Sequence, residues 1–285
     1  MYTMIILCTL DLGGSNMKKV LTTLCTALLL SSCTISFNSC SLTIGEYNYS
    51  KASRFTGASE LVLTDNIEKL HLYWVNGEVN ISQASDNTFS YNEVSEDEIE
   101  FSAFYYLNND ELIIQFVEDG TKKEDYNNLS KKIDIVVPNN IEHIEIDNVN
   151  TTINFDEINL EEVEINNVNG NINVNYLKCD DFECDIVNGD IKFNKMDIFD
   201  LNLKRVNGDL TINEIVDSKE RVDLKVSNVN GEDSIYIKER MGYKVEFDSV
   251  SKDFNSDYDN AFEYGNKIVR IDYSSVSGSL NIYKG

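Results

Sequence analysis

Two histidines (His71 and His143), six cysteines and 49 Asp and Glu side chains are the groups in this chain that could ligate a metal, attack a substrate or carry a proton. Both histidines sit in runs of alternating apolar residues. Neither has a second His or a Cys at metal-ligand spacing, so each reads as a structural strand-face residue and no metal site is expected. Carboxylates are the richer source. A stacked repeat would bring Asp190 beside Asp209, and two close carboxylates can work as acid and base. The same turns, with Glu232 and Asp233, offer hard oxygen donors to calcium. Against this, the chain has neither an EF-hand loop nor a Gly-rich calcium repeat, and a ladder of like charges follows automatically from repeating an acidic turn. A solvated acidic face is the expectation there. The sequence contains no phosphate-binding glycine loop, nucleophile elbow or metal-binding histidine pair, so it points away from an enzyme and implies no cofactor.

The cysteines speak to location instead. From Met17 the chain runs Lys18-Lys19, an apolar stretch from Val20 to Leu30, then Leu30-Ser31-Ser32-Cys33. Lysines followed by an apolar run too short to span a membrane, then small residues, is the order of an export signal. The last four residues resemble a bacterial lipobox, which implies cleavage before Cys33 and diacylglycerol on its sulfur. Acyl chains contribute roughly 0.8 kcal/mol of membrane affinity per buried CH₂, enough together to hold a folded domain at the bilayer. The expected location is the cell membrane, lipid-anchored and facing away from the cytoplasm. Residues 1–16 form a poor beginning for such a signal, and Leu12-Gly13-Gly14-Ser15 is encodable by a ribosome-binding sequence, so Met17 reads as the true start. Beyond the signal and Cys33, only Cys40, Cys179 and Cys184 remain, too few for a disulfide framework. The five-residue separation of Cys179 and Cys184 puts them on opposite faces of a regular strand. A formal net charge of −25 repels phosphate backbones and excludes nucleic acid as a natural partner.

The elements that would position these groups are announced by an internal repeat. Val149-Asn150, Val168-Asn169-Gly170, Val187-Asn188-Gly189, Val206-Asn207-Gly208 and Val229-Asn230-Gly231 recur with their asparagines 19, 19, 19 and 23 residues apart. Weaker echoes stand at Val75-Asn76-Gly77, Val250-Ser251 and Val276-Ser277-Gly278. Around each turn apolar residues alternate with polar ones, as in Val163, Ile165 and Ile172, Val174, which marks short strands with one buried face. An isolated Asn-Gly suggests a hairpin, but a fixed period favours stacked coils in which equivalent residues lie one above another, roughly 4.8 Å apart. The fold class is therefore all-β, a β-solenoid or roll of two-strand repeats of about 19 residues. Asn150, Asn169, Asn188, Asn207 and Asn230 would form a turn ladder, with Gly170, Gly189, Gly208 and Gly231 allowing the corner. The organisation expected is a signal over 17–32, a tether over 33–56, an N-terminal β-subregion or cap over 57–140, and repeats with a C-terminal cap over 141–285. Tyr258, Phe262, Tyr264 and Tyr273 would close that cap or, if exposed, stack on a ligand.

With its Val137-Pro138 strand end and its recurring Val-Asn-Gly turns, the region from about residue 60 to 285 resembles the β-strand-repeat, adhesin-like family of bacterial envelopes, a domain of unknown function. The resemblance implies a non-catalytic surface lipoprotein whose partners are the membrane, through Cys33, and an unidentified surface ligand, protein or carbohydrate. The alternative is an accessory protein of an envelope-stress response contacting a membrane partner. A carbohydrate-active β-helix enzyme is a third reading. Fold by itself decides none of them.

Overall fold

β-Branched and aromatic residues alternating with polar ones, and a single proline at 138, make strands of most of the described residues. The computed structural model describes residues 54–94, 102–126, 128–216, 218, 220–251, 253–258 and 267–285, together with the backbone of Ile35–Phe37 and Cys40–Leu42. Those last two segments, β1 and β2, pair antiparallel within the expected tether. The signal segment and Cys33 lie outside the described residues.

The centre is a stack of parallel coils. Strand β10 (His143–Asn159) turns at Asn150 and carries both halves of one coil. β11 (Glu162–Asn169), β12 (Ile172–Asn188), β13 (Ile191–Asn207) and β14 (Leu210–Ile212) supply the next three. Each pairs with its successor at an offset of 19 residues: Ile146 opposite Ile165, Ile165 opposite Cys184, Cys184 opposite Leu203. The inward side chains of the two halves meet in one core, as where Phe182 meets Phe193 edge to face at 5.3 Å. Strand β12 bends through a second corner at Asp180–Asp181, where both backbone N–H groups donate to the Glu161 carbonyl. That bend corrects the expectation for the cysteines. It resets the alternation, so Cys179 and Cys184 both face the core, neither in a disulfide.

Both ends depart from sequential stacking. At the N-terminal end, β5 (Lys69–Gln83) is itself a coil, and it lies between β10 and a coil made of β8 (Glu111–Gln115) and β9 (Lys131–Val137), parallel to all three. Antiparallel strands then cover the edge: β6 (Phe89–Val94) on β9, β7 (Phe104–Asn108) on β8, β4 (Glu60–Leu63) on β6, and β3 (Thr56–Gly57) on β7. A short helix, α1 (Lys123–Tyr126), interrupts the loop before β9. At the other end, β15 (Arg221–Asn228) and β16 (Glu232–Ile237) follow β13 and β14. The coil β19 (Ile268–Ser275) and β20 (Ser279–Lys284) stacks on them. The earlier segments β17 (Gly242–Ser249) and β18 (Asp253–Ser256) lie outermost. At each end, therefore, the coil nearest the terminus is one level inside its neighbour in sequence.

A buried ion pair marks each rearranged end. Lys131 reaches Glu93 at 3.0 Å and donates to the Phe116 carbonyl at 2.5 Å, with its ammonium over the Trp74 and Phe116 rings. Arg205 meets Asp233 at 2.5 Å, both side chains fully buried. Asp233 also accepts the Leu210 N–H and the Asn228 amide, which in turn reaches the Tyr273 hydroxyl.

Candidate functional site

The Asn-Gly corners form a continuous exposed column. The Asn150 amide donates to Asn76, Asn169 to Asn150, Asn188 to Asn169 and Asn207 to Asn188, each at 2.8 Å, and Asn230 donates to Asn207 at 3.0 Å. The glycines let the coils approach. Gly208 has φ 124°, and a Cβ there would lie 2.0 Å from the Gly189 carbonyl oxygen; one on Gly231 would lie 2.1 Å from that of Gly208. Gly170 and Gly189 stack in the same column, whereas the Asn150 corner carries Thr151.

The acidic turns do not converge. Asn171, Asp190 and Asp209 each accept a backbone N–H from the next coil, at Asp190 (2.9 Å), Asp209 (3.0 Å) and Glu232 (2.7 Å) respectively. Asp233 turns inward to Arg205. Burial pushes its carboxyl above the usual carboxylate range, and the guanidinium only partly offsets that. The expectation of a solvated acidic turn surface thus fails at Asp233, because its strand alternation points it into the core. Among the described residues, the three-residue cluster of ligating atoms lies elsewhere and not at Asp190, Asp209, Glu232 and Asp233.

Another group does converge. β5 and β10 pair with His71 opposite Glu145 and Tyr73 opposite Asp147. Nε2 of His71 lies 3.2 Å from Asp147 Oδ2 and 3.3 Å from Glu145 Oε1, while its Nδ1 faces the Tyr73 hydroxyl at 3.2 Å. Asp147 and His71 are buried and Glu145 is partly open. The second Asp147 oxygen accepts the Asn166 amide at 3.0 Å. Burial raises the Glu145 carboxyl above its ordinary range. Asp147 and Glu164 push in the same direction, and His71 and His143 oppose them. A depression of about 450 Å³ opens onto the cluster, lined by Lys69, Glu111, Glu142, His143 and Glu162 among others. In it His143 Nδ1 sits 2.9 Å from Glu162. Sequence alone missed this group because the partners of His71 lie 74 and 76 residues away and meet it only through the displaced position of β5. The available signal was Glu145 and Asp147 two apart on one strand face.

The second half of the coils presents a different surface. Asn173 donates to Asn154 (2.9 Å), Asn154 to Asn80 and Asn80 to Asp134 (both 2.7 Å), and a parallel column links Asn175 to Asp156 at 2.9 Å. Asn213 continues toward Asn194 at 3.3 Å. Asn80, Asn154, Asn173, Asn175 and Asn194, with Asp134, Asp156 and Lys192, line a shallow groove of about 560 Å³ running across five coils.

A family model, Toastrack DUF4097, matches residues 64–282. The chain belongs to that family. No curated protein matches it. Among solved structures, a candidate adhesin from Bacteroides fragilis NCTC 9343 is 15% identical and covers 82% of this chain and 98% of its own, with a TM-score of 0.45. A candidate cell adhesion protein from Clostridium sporogenes ATCC 15579 is 14% identical over 79% and 99%, TM-score 0.32. A candidate lipid-binding protein from Parabacteroides distasonis ATCC 8503 is 13% identical over 81% and 98%, TM-score 0.41.

In this Toastrack chain the turn ladder is a structural device. Every rung spends its amide on the rung below. The groove amides bond along the stack in the same way, Asn154 donating to Glu78 (3.3 Å) as well as to Asn80, but they border an open groove instead of a corner. Of the C-terminal aromatics, Tyr273 is core and Tyr258 packs on Tyr243, its hydroxyl donating to the Ile237 carbonyl at 2.6 Å. Phe262 and Tyr264 lie outside the described residues.

Proposed function

We propose that this Toastrack chain is a non-catalytic binding scaffold, held at the outer side of the cell membrane by lipid on Cys33, that engages an extended glycan along its amide groove. The groove carries the reading. Asn80, Asn154 and Asn173, with Asn175 and Asn194 beside them, place uncharged donors and acceptors at coil spacing along an open surface of an otherwise strongly acidic protein. Polar polymers are recognised by repeated hydrogen bonds of this kind, and with Asp134, Asp156 and Lys192 beside the amides the groove suits an uncharged polymer better than an anionic one. In the acidic turns one oxygen each of Asp190 and Asp209 is held by a backbone N–H of the next coil, a structural use that supports a scaffold.

The test uses the full lipidated chain in detergent, presented to immobilised glycans and to purified cell-wall glycan strands. Saturable retention that weakens about tenfold in Asn154→Ala/Asn173→Ala, with the unfolding midpoint kept, supports the reading. Retention by protein partners alone, or equal retention by the double variant, sinks it. Loss of clickable-palmitate label in Cys33→Ala tests the anchor separately.

A further inference from the structure

We infer that His71, Glu145 and Asp147 form a binding site for one divalent transition-metal ion, Zn²⁺ being the best match, which clasps the displaced coil β5 to β10. Among the described residues this is the group in which three metal-ligating side chains offer atoms within 4.8 Å of one another. Zinc sits about 2.0–2.2 Å from nitrogen and oxygen ligands, which in tetrahedral geometry sets adjacent ligand atoms roughly 3.3–3.6 Å apart. The separations of His71 Nε2 from Asp147 Oδ2 (3.2 Å) and Glu145 Oε1 (3.3 Å) lie at the short edge of that interval, within a small side-chain adjustment of it.

The surroundings match what a ligated imidazole needs. Tyr73 holds the far ring nitrogen and its own ring lies tilted against the imidazole at 4.0 Å between centroids, fixing its orientation. Asn166 holds the Asp147 oxygen that faces away from His71, leaving Oδ2 aimed at the site. Charge favours a cation as well. Two carboxylates face one imidazole, with Glu164 stacked next to Glu145, and the burial of Asp147 denies the cluster much of the water that would screen it. The partly open side of Glu145 faces the acidic depression, where a water or an external ligand can complete the coordination. One imidazole with two carboxylates suits zinc and its neighbours in the first transition row; calcium and magnesium prefer all-oxygen shells.

Because the ligands come from strands 74 to 76 residues apart, the ion would cross-link the joint at which the coil order departs from the chain order. Binding to the folded chain alone raises its unfolding midpoint.

The experiment uses the untagged full-length chain in detergent, stripped with EDTA and titrated calorimetrically with ZnCl₂ in excess Mg²⁺ and Ca²⁺. Co²⁺ serves as a spectroscopic stand-in. The expected result is one equivalent of Zn²⁺ bound, a raised unfolding midpoint, and a Co²⁺ visible spectrum of nitrogen and oxygen coordination. Glu145→Gln, at a partly exposed position where folding is retained, should weaken binding at least about tenfold, and Tyr73→Phe roughly tenfold through the lost support of His71. His143→Gln should leave affinity unchanged. The proposal is overturned by the absence of saturable Zn²⁺ binding to the folded wild type, by Glu145→Gln binding as tightly as wild type, or by binding that follows His143 instead of His71.

Discussion

The middle of the stack and its two ends are held together by opposite means. From β10 to β14 each coil repeats the one before it, the amide rung recurring at every corner and the glycine approach at every corner after Asn150. Nothing in that repetition distinguishes one register from another displaced by a whole coil, since a 19-residue slip lays Val-Asn-Gly on Val-Asn-Gly. At the ends the coil order is not sequential, and contacts that occur once replace contacts that recur. Lys131 joins β9 to Glu93 of β6 and to the carbonyl of Phe116 beyond β8, under Trp74 of β5. Arg205, Asp233, Asn228 and Tyr273 link three successive coils. Buried polar groups are a costly source of stability but an effective source of uniqueness, because any other pairing strands a charge. In this fold repetition supplies the stack and the buried ion pairs supply its order.

The sharpest way to break the contrast is at a corner glycine. Gly208→Ala places a Cβ against the Gly189 carbonyl at a positive φ, and it should destabilise by more than about 4 kcal/mol or abolish folding, read by urea denaturation. Gly120, also at positive φ but with open space around it, should lose only about 1–2 kcal/mol on the same substitution. Similar losses at both positions would mean that stacking is not what selects glycine at 208.

A second expectation concerns the ion pair. Arg205→Met or Asp233→Leu alone leaves a buried charge unmatched and should cost about 3–5 kcal/mol. The double variant should recover most of that loss, since a well-packed apolar pair commonly matches a buried ion pair in stability. If ordering is what the pair provides, the recovered double variant should show heterogeneous amide exchange around β15 and β19. A single well-protected state would remove the ordering role.

The smallest effect belongs to the ladder. Asn188→Ala removes two exposed amide bonds, to Asn169 and from Asn207, and should cost about 1 kcal/mol in thermal or chemical unfolding. A loss as large as that at Gly208 would show the rungs carrying the coils instead of decorating them.

How legible these regions are follows from the same contrast. The 19-residue spacing of the Val-Asn-Gly turns translates directly into parallel register, because one coil is one period. Arg205 was readable in principle. It occupies the place before Val-Asn that Asn148, Asn167 and Ile186 hold in other coils, and it continues the inward alternation of Leu201 and Leu203. Lys131 likewise shares the inward face of Ile133, Ile135 and Val137, although its neighbours in sequence suggest a solvated loop. The order of the end coils carries no local signal. It depends on which distant edge a strand completes, and neither propensity nor alternation encodes that. The cluster at His71 inherits this opacity, since β5 reaches Glu145 and Asp147 only by entering between β9 and β10.

The position of β19 and β20 between coils made earlier in the chain also sets a timetable. A polypeptide leaving a ribosome or a translocon N-terminus first can lay down β10 to β16 one coil upon another, each on a surface already present. The final surface for the coil β17 and β18 comes later, because the strands on which it rests are synthesised after it. Until residues 268–284 arrive the open edge is that of β15 and β16, and those residues take their place between that edge and β17 and β18, so the stack is completed by insertion and not by addition.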